Sequence, residues 1–294
     1  MLMKQQTFGI LGFPWDGGAS LGPPGARYAP HAIRENLQWI QNRISDQKIY
    51  HVEKRELIDF SNRPIVDYGD IDIVSYSYEQ TFKNAELAVS KMLDENSFPF
   101  ILGGDHSFSY PLIKALHDHC EGNIAIIQFD AHLDLVDENA QQGRFSQSSQ
   151  IRRALELPRV KAENIVQIGV RNYNYPWYDQ YLKEIPIQQI TAREVYQTPL
   201  DHVLKKILAA CEGTEKVYLT FDIDVLDPAF APGSGGHESG GLTPMQCFEL
   251  LEGLYPHIDA MDIAEVNPYY DFKGVTTSLA ARIVMDCASA LTKR

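Results

Sequence analysis

Residues 128 to 136 read QFDAHLDLV, and they place Asp130, His132 and Asp134 at i, i+2 and i+4, directly after the apolar run Ile124 to Phe129. In extended backbone these three side chains point the same way. Crowded carboxylates are costly unless positive charge sits among them, so the chemistry suggested is metal binding. Two more apolar runs end alike. Phe98 to Leu102 leads into GGDHS, with Asp105 and His106, and Val217 to Phe221 leads into DIDVLDP, with Asp222 and Asp224. Taken alone, an Asp-x-Asp after a strand is a turn or a helix cap. A lone histidine after Gly-Gly is an ordinary loop residue. Three such groups at three strand ends are not independent, and together they argue for metal. Asp105 is expected to face away from His106, orienting a histidine or capping the next helix.

These groups can meet only if the elements beneath them are arranged for it. Strands are expected at Phe8 to Gly12, Ile65 to Tyr68, Phe98 to Leu102, Ile124 to Phe129, Ile165 to Val170, Ile185 to Ile190, Val217 to Phe221 and Ala260 to Ala264. Helical spacing appears in APHAIRENLQWI, TPLDHVLKKILAAC, LTPMQCFELLEGLY and the tail from Thr276 to Leu291. Strands of continuous hydrophobicity alternating with helices indicate a parallel sheet covered on both faces. In such a sheet every carboxyl end lies on one rim, where ligands bind. The rim then carries His106, Asp130, His132, Asp134, Asp222 and Asp224. Two imidazoles and four carboxylates are too many for one catalytic zinc and too rich in nitrogen for magnesium or calcium. They suit two divalent first-row ions sharing carboxylates. The oxygen majority favours manganese, with nickel or cobalt tolerated. Two ions about 3.5–4 Å apart can hold a hydroxide and aim it at an electrophilic carbon, which is hydrolase chemistry.

The 294 residues, 44% hydrophobic and 22% charged, fit one α/β domain spanning 1–294 with about eight strands. A formal charge of -13 argues against nucleic acid or an anionic membrane as partner, and it accommodates a cationic substrate. Cys120, Cys211, Cys247 and Cys287 form no CxxC pair, so reduced thiols are expected. No leader and no apolar run of spanning length is recognised, and a cytoplasmic setting is expected. Pro14 to Gly25 and Ala229 to Gly241 read as loops over the site.

The segments GGDHS, FDAHLD and TFDIDVLDPAFAPG resemble the three metal-binding signatures of the ureohydrolase family: arginases, agmatinases, other guanidino hydrolases and formiminoglutamases. MDIAEVNP is similar to the family's late strand, and GFPWDGGASLGPPGARYAPHAIRENL to its first strand, loop and helix. The resemblance runs over nearly the whole chain, with agmatinases the nearest branch by eye. It implies an arginase-like three-layer α/β/α fold around an eight-stranded, mostly parallel sheet, assembled as trimers or hexamers. It implies that His106, Asp130, Asp134 and Asp222 hold one manganese and that Asp130, His132, Asp222 and Asp224 hold the other, with Asp130 and Asp222 bridging. Glu265, in the EVNP segment, would grip the planar cationic group of the substrate, and the tetrahedral intermediate would expel an amine.

Two loops depart from the agmatinase pattern. A histidine that shuttles a proton to the leaving amine, in a segment like SHGTxFRRA, is replaced here by Gln147 in SQSSQIRRA. An amide can hydrogen-bond a substrate but cannot shuttle a proton. Formiminoglutamases also lack that histidine. Where agmatinases read GTGTPExGGL this chain reads GSGGHESGGL, so His237 is expected to take over proton transfer or recognise the distal end of the substrate, the alternative being an exposed loop residue. The expected activity is agmatinase-like cleavage of a linear guanidino or amidine C–N bond, with a small cationic guanidino or formimino compound as partner. The alternatives are a formiminoglutamase and a metal-binding pseudoenzyme, the latter because of Gln147. The paired-histidine signature of single-zinc deacetylases is absent. The aromatics from Tyr173 to Tyr181 read as a mouth, a subunit contact or surface packing.

Overall fold

The computed structural model describes residues 5–19, 24–138, 140–141 and 143–294. Residues 20–23 of the expected Pro14 to Gly25 loop therefore lie outside the described residues. Among these residues ten strands run in chain order: β1 Thr7–Gly12, β2 Lys48–His51, β3 Glu56–Asp59, β4 Ile65–Asp70, β5 Ser97–Leu102, β6 Ile124–Phe129, β7 Val160–Val170, β8 Gln188–Thr191, β9 Lys216–Asp222 and β10 Ala260–Ala264. Eight form one sheet, ordered β4-β1-β5-β10-β9-β6-β7-β8, and each neighbouring pair in it is parallel. The other two, β2 and β3, make a separate antiparallel hairpin.

Among the described residues nine α-helices accompany the sheet: α1 Ala29–Gln41, α2 Tyr78–Asp94, α3 Ser109–Asp118, α4 Gln150–Ala154, α5 Tyr178–Glu184, α6 Ala192–Gln197, α7 Leu200–Ala210, α8 Pro244–Leu254 and α9 Val275–Leu291. Alternate strand residues enter opposite cores. Phe100, Leu102, Ile127 and Phe129 pack with α1, α7, α8 and α9, whereas Ile101 and Ile126 pack with α2, α3 and α4. That division is the three-layer α/β/α arrangement, and it is why the central strands carry apolar residues on both faces. Helix starts follow local chemistry. Thr243 opens α8 and Thr191 opens α6, each in a capping box, with Gln246 and Glu194 as the reciprocal partners. Among the described residues no helix is long and apolar enough to cross a membrane.

Phe100 is fully buried in β5, its ring tilted against that of Phe8 at 5.5 Å between centroids. Phe100→Ala is expected to destabilise the fold by about 3–5 kcal/mol through the lost burial and the cavity left behind, measured by denaturant unfolding.

The strand order bears most on the site. The strands leading to His106, Glu265, Asp222 and Asp130 are β5, β10, β9 and β6, which are consecutive neighbours in the sheet. Register aligns their ends: Phe129 pairs with Phe221 and Ala264 with Asp222, so Asp130, Asp222 and Glu265 leave the sheet at one level.

Candidate metal centre

Each of three strand ends turns through the same device. Asp105, Asp130 and Asp222 accept the backbone N–H two residues on, from Ser107 at 3.0 Å, His132 at 2.6 Å and Asp224 at 2.8 Å. What separates them is the second oxygen. Asp105 spends it on the Gly18 amide at 2.7 Å, so its carboxylate ties down the N-terminal loop and caps the short turn His106–Phe108. Burial pushes its carboxyl up to about 6. Close approach of that loop also requires Gly104, because a Cβ there would stand 1.5 Å from the Trp15 carbonyl oxygen. Asp130 and Asp222 turn their second oxygens toward histidine.

His106 Nδ1 lies 3.1 Å from Asp130 Oδ2, 3.2 Å from Asp134 Oδ2 and 3.0 Å from Asp222 Oδ2. It is nonetheless a buried polar atom with no aligned hydrogen-bond partner. Its other nitrogen explains why. Nε2 is 2.7 Å from Thr220 Oγ1. The Thr220 hydroxyl donates to Asp262 Oδ1 at 2.7 Å, and Tyr218 donates to Asp262 Oδ2 at 2.5 Å. Thr220 therefore accepts from Nε2–H, and Nδ1 presents a lone pair to three carboxylates. A lone pair facing three anionic oxygens is repulsive without a cation between them, and the donor set fits a divalent metal.

A second cluster adjoins the first. His132 Nδ1 is 3.0 Å from Asp224 Oδ2 and 3.4 Å from Asp130 Oδ1. Among the described residues two groups could hold an ion, His106–Asp130–Asp222 and Asp130–His132–Asp224, with Asp130 common to both. Asp134 joins the first through Oδ2. The protonation tendencies reflect this concentration of negative charge. Burial and the neighbouring Asp130 push Asp134 up to about 7, and burial with Asp224 and Asp130 holds Asp222 well above its usual range. Burial opposes charge on His106, yet the adjacent carboxylates of Asp130, Asp134 and Asp222 raise it well above an ordinary histidine. The cluster draws in positive charge.

Supporting residues escaped the sequence reading. Gln128 donates to Asp130 Oδ2 at 2.6 Å and to Asp134 Oδ2 at 3.3 Å. Gln128 accepts in turn from Gln167 at 2.7 Å, and Gln167 from Gln189 at 2.9 Å. These glutamines are in register across β6, β7 and β8. Gln150, at the start of α4, also donates to Asp134. The signal was present: a glutamine inside a run as apolar as IAIIQF must have a buried partner. Asp134 and Glu265 are non-glycine residues at positive φ, 52° and 61°, a conformation that costs about 1–3 kcal/mol and gathers at functional sites.

A cleft of about 540 Å³ opens over the clusters, lined by His132, Asp134, Asp222, Asp224, Glu265 and Gln147 on one side and by the segment 172–175 with Tyr178 on the other. Glu265 accepts from the His106 amide at 2.7 Å. Burial, with Asp105 nearby, pushes its carboxyl up to about 8. His237 is not brought to the clusters. It is exposed, 2.7 Å from the Pro232 carbonyl oxygen and against the edge of Tyr270. Its neighbour Glu238 instead reaches 3.8 Å from His132 Nε2, and Arg171 holds that loop by its Glu238 carbonyl at 2.7 Å while also binding the Asp224 carbonyl at 2.6 Å.

Sheet and site together define a class: α/β enzymes that gather metal-binding side chains on the carboxyl edge of a parallel sheet. Within that class the chain belongs to the arginase family, whose model matches residues 6–289. It is thus a hydrolase of the kind that acts on amidino and guanidino C–N bonds. The family depends on a pair of metal ions, and the candidate residues here are those of the two clusters. The chain is 33% identical over 282 residues to an agmatinase of Neisseria meningitidis, covering 94% of this chain and 84% of that one. It is 29% identical over 288 residues to the human mitochondrial guanidino acid hydrolase, covering 97% and 78%. The crystal structure of formimidoylglutamase from Bacillus subtilis superimposes with a TM-score of 0.85 at 28% identity, over 98% of this chain and 88% of that one.

Proposed function

We propose that the chain hydrolyses a small guanidino compound in the manner of an agmatinase, releasing urea and an amine. In this reading two divalent ions, manganese first and nickel or cobalt as alternatives, are held by His106, Asp130, Asp134 and Asp222 and by Asp130, His132, Asp222 and Asp224. The observation that carries the reading is the shared position of Asp130, with one oxygen toward each imidazole, beside the unpartnered Nδ1 of His106. Such a pair of ions, when bound, supplies a nucleophile at neutral pH and a Lewis-acid clamp.

Glu265 spends one oxygen on the His106 amide and has the other for the planar guanidinium, a charge-assisted contact. An arriving cation also draws that carboxyl into its ionised form. Gln147, on the cleft wall, hydrogen-bonds the substrate without transferring a proton. The C–N bond to the leaving amine breaks, and the amine takes its proton from water.

The cleft lining also speaks to the distal end of the substrate. Among the described residues that line it, none is lysine or arginine. A carboxylate tail, as in guanidino acids or formiminoglutamate, would be desolvated without a counter-charge, whereas an amine tail can donate to the amide and phenol oxygens of Asn172, Tyr173, Asn174 and Tyr175. That ranks an agmatine-like substrate above the formiminoglutamase alternative. The four free cysteines support a reducing, cytoplasmic setting. Assembly as a trimer or hexamer belongs to the same proposal and is read by light scattering.

The test is urea release, or formamide release from formiminoglutamate, by enzyme loaded with manganese, nickel or cobalt. Agmatine is expected to exceed guanidinobutyrate and formiminoglutamate by at least roughly tenfold in kcat/KM, the effect of one unpaired charge worth ~1.4 kcal/mol. Glu265→Gln is expected to lower kcat/KM by about 10²–10³, and His237→Ala to leave it within about twofold. A metal-loaded enzyme that turns over none of these compounds would establish the pseudoenzyme instead.

A further inference from the structure

A second pocket of about 500 Å³ adjoins the cleft and shares Val136 and Tyr175 with it. Leu135 and Val136 give it an apolar side, and Tyr175, Trp177 and Tyr181 give it an aromatic one. The aromatic side is fixed in place. Trp177 stacks on Tyr178 with centroids 3.8 Å apart, and Tyr181 meets Trp177 edge-on at 5.6 Å. Tyr178 is itself 5% exposed and forms part of the cleft wall, so the stack ties the second pocket rigidly to the first. Yet Tyr175 and Trp177 remain 50% and 43% exposed. Large rings held open beside a reaction cleft are available surface.

The charges around the pocket are specific. Arg152 lays its guanidinium over the Tyr181 ring at 5.1 Å, so one planar cation already rests on this aromatic cluster. Asp137 is engaged by Arg144, Arg152 and Arg153. Glu138, also on the lining, is exposed and has no such partner among the described residues. Open tyrosine and tryptophan faces near a carboxylate suit a protonated amine.

We propose that this pocket is a subsite for a second, more distant amine of the substrate, so that the enzyme favours long, amine-bearing guanidino compounds over short ones. The inference rests on the guanidino-hydrolase reading and deepens it by naming the distal chemistry. The guanidinium meets Glu265, the carbon chain crosses Val136 and Tyr175, and the terminal ammonium rests against Trp177 and Glu138.

The experiment compares butylguanidine, agmatine and a guanidinylated triamine, whose extra amine extends beyond that of agmatine. The ratio of kcat/KM for the triamine to that for butylguanidine is read in the parent enzyme and in Trp177→Ala, Trp177→Phe and Glu138→Gln. Trp177→Ala is expected to lower this ratio roughly tenfold, mostly through the KM of the triamine, and Glu138→Gln roughly threefold, while Trp177→Phe retains most of it. Calorimetric binding of the triamine should weaken in the same order. An unchanged ratio in both Trp177→Ala and Glu138→Gln, or a parent enzyme that prefers butylguanidine, overturns the subsite. Absence of urea from all three probes overturns the hydrolase reading, and calorimetry then still decides whether the amine binds here.

Discussion

Asp130→Asn should lower kcat by at least ~10³-fold, about 4 kcal/mol of transition-state stabilisation, and reduce bound metal from two ions per chain to one or none. Asp130 is the member common to both clusters, with Oδ2 3.1 Å from His106 Nδ1 and Oδ1 3.4 Å from His132 Nδ1. An amide keeps the shape but removes the charge. It also turns an NH2 toward either the Gln128 donor at Oδ2 or the His132 amide at Oδ1, so a buried donor loses its acceptor whichever way the group flips. Asp224→Asn is the control, because Asp224 belongs to the His132 cluster alone and should release a single ion. Elemental analysis with urea release reads both variants. An Asp130→Asn enzyme that retains two ions and parental turnover would sink the shared-ligand arrangement.

The sheet was legible because burial on both faces leaves a strong mark. All eight strands expected from apolar runs are present in it. Boundaries moved where that mark weakens. β7 begins at Val160, before the expected Ile165, over the polar stretch KAEN. β8, an edge strand, runs Gln188–Thr191 rather than from Ile185, and α5 fills the chain just before it. The hairpin of β2 and β3 was missed because only Ile58 of its strand residues is buried, which leaves no apolar run. Strand order was not readable at all. No local pattern says that β10, near the end of the chain, inserts between β5 and β9, yet this insertion sets Glu265 beside His106.

The same contrast holds at the centre. Residues carrying charge announced themselves, since carboxylates and imidazoles after core strands need a reason. Neutral partners did so faintly or not at all: Gln128 stands out only as an amide within an apolar run, while Gln150 and Thr220 are unremarkable letters whose work register and proximity disclose. His237 and Glu238 show the limit of reasoning from loops. Adjacent in sequence, they differ in direction, one toward the Pro232 carbonyl and the other toward His132, because the Arg171 clamp on the Glu238 carbonyl sets the loop's course.

Thr220 gives the sharpest test of the neutral partners. It is fully buried, and its hydroxyl links Nε2 of His106 to Asp262. Thr220→Val preserves volume but leaves the Nε2–H without an acceptor and strips one donor from Asp262. The stability loss is expected to be about 1–3 kcal/mol. The more telling effect is on tautomer choice. Without Thr220, the imidazole proton moves to Nδ1, where three carboxylate oxygens lie within 3.2 Å to receive it, and that nitrogen ceases to be a ligand. Metal affinity should therefore fall by roughly 10–100-fold, as measured by chelator competition, while Thr220→Ser, which keeps the hydroxyl, stays near the parent value. A merely structural role for Thr220 would lower stability in both metal-loaded and metal-stripped protein by equal amounts. The tautomer argument instead requires the larger loss in the loaded form, because only there does the lone pair on Nδ1 contribute.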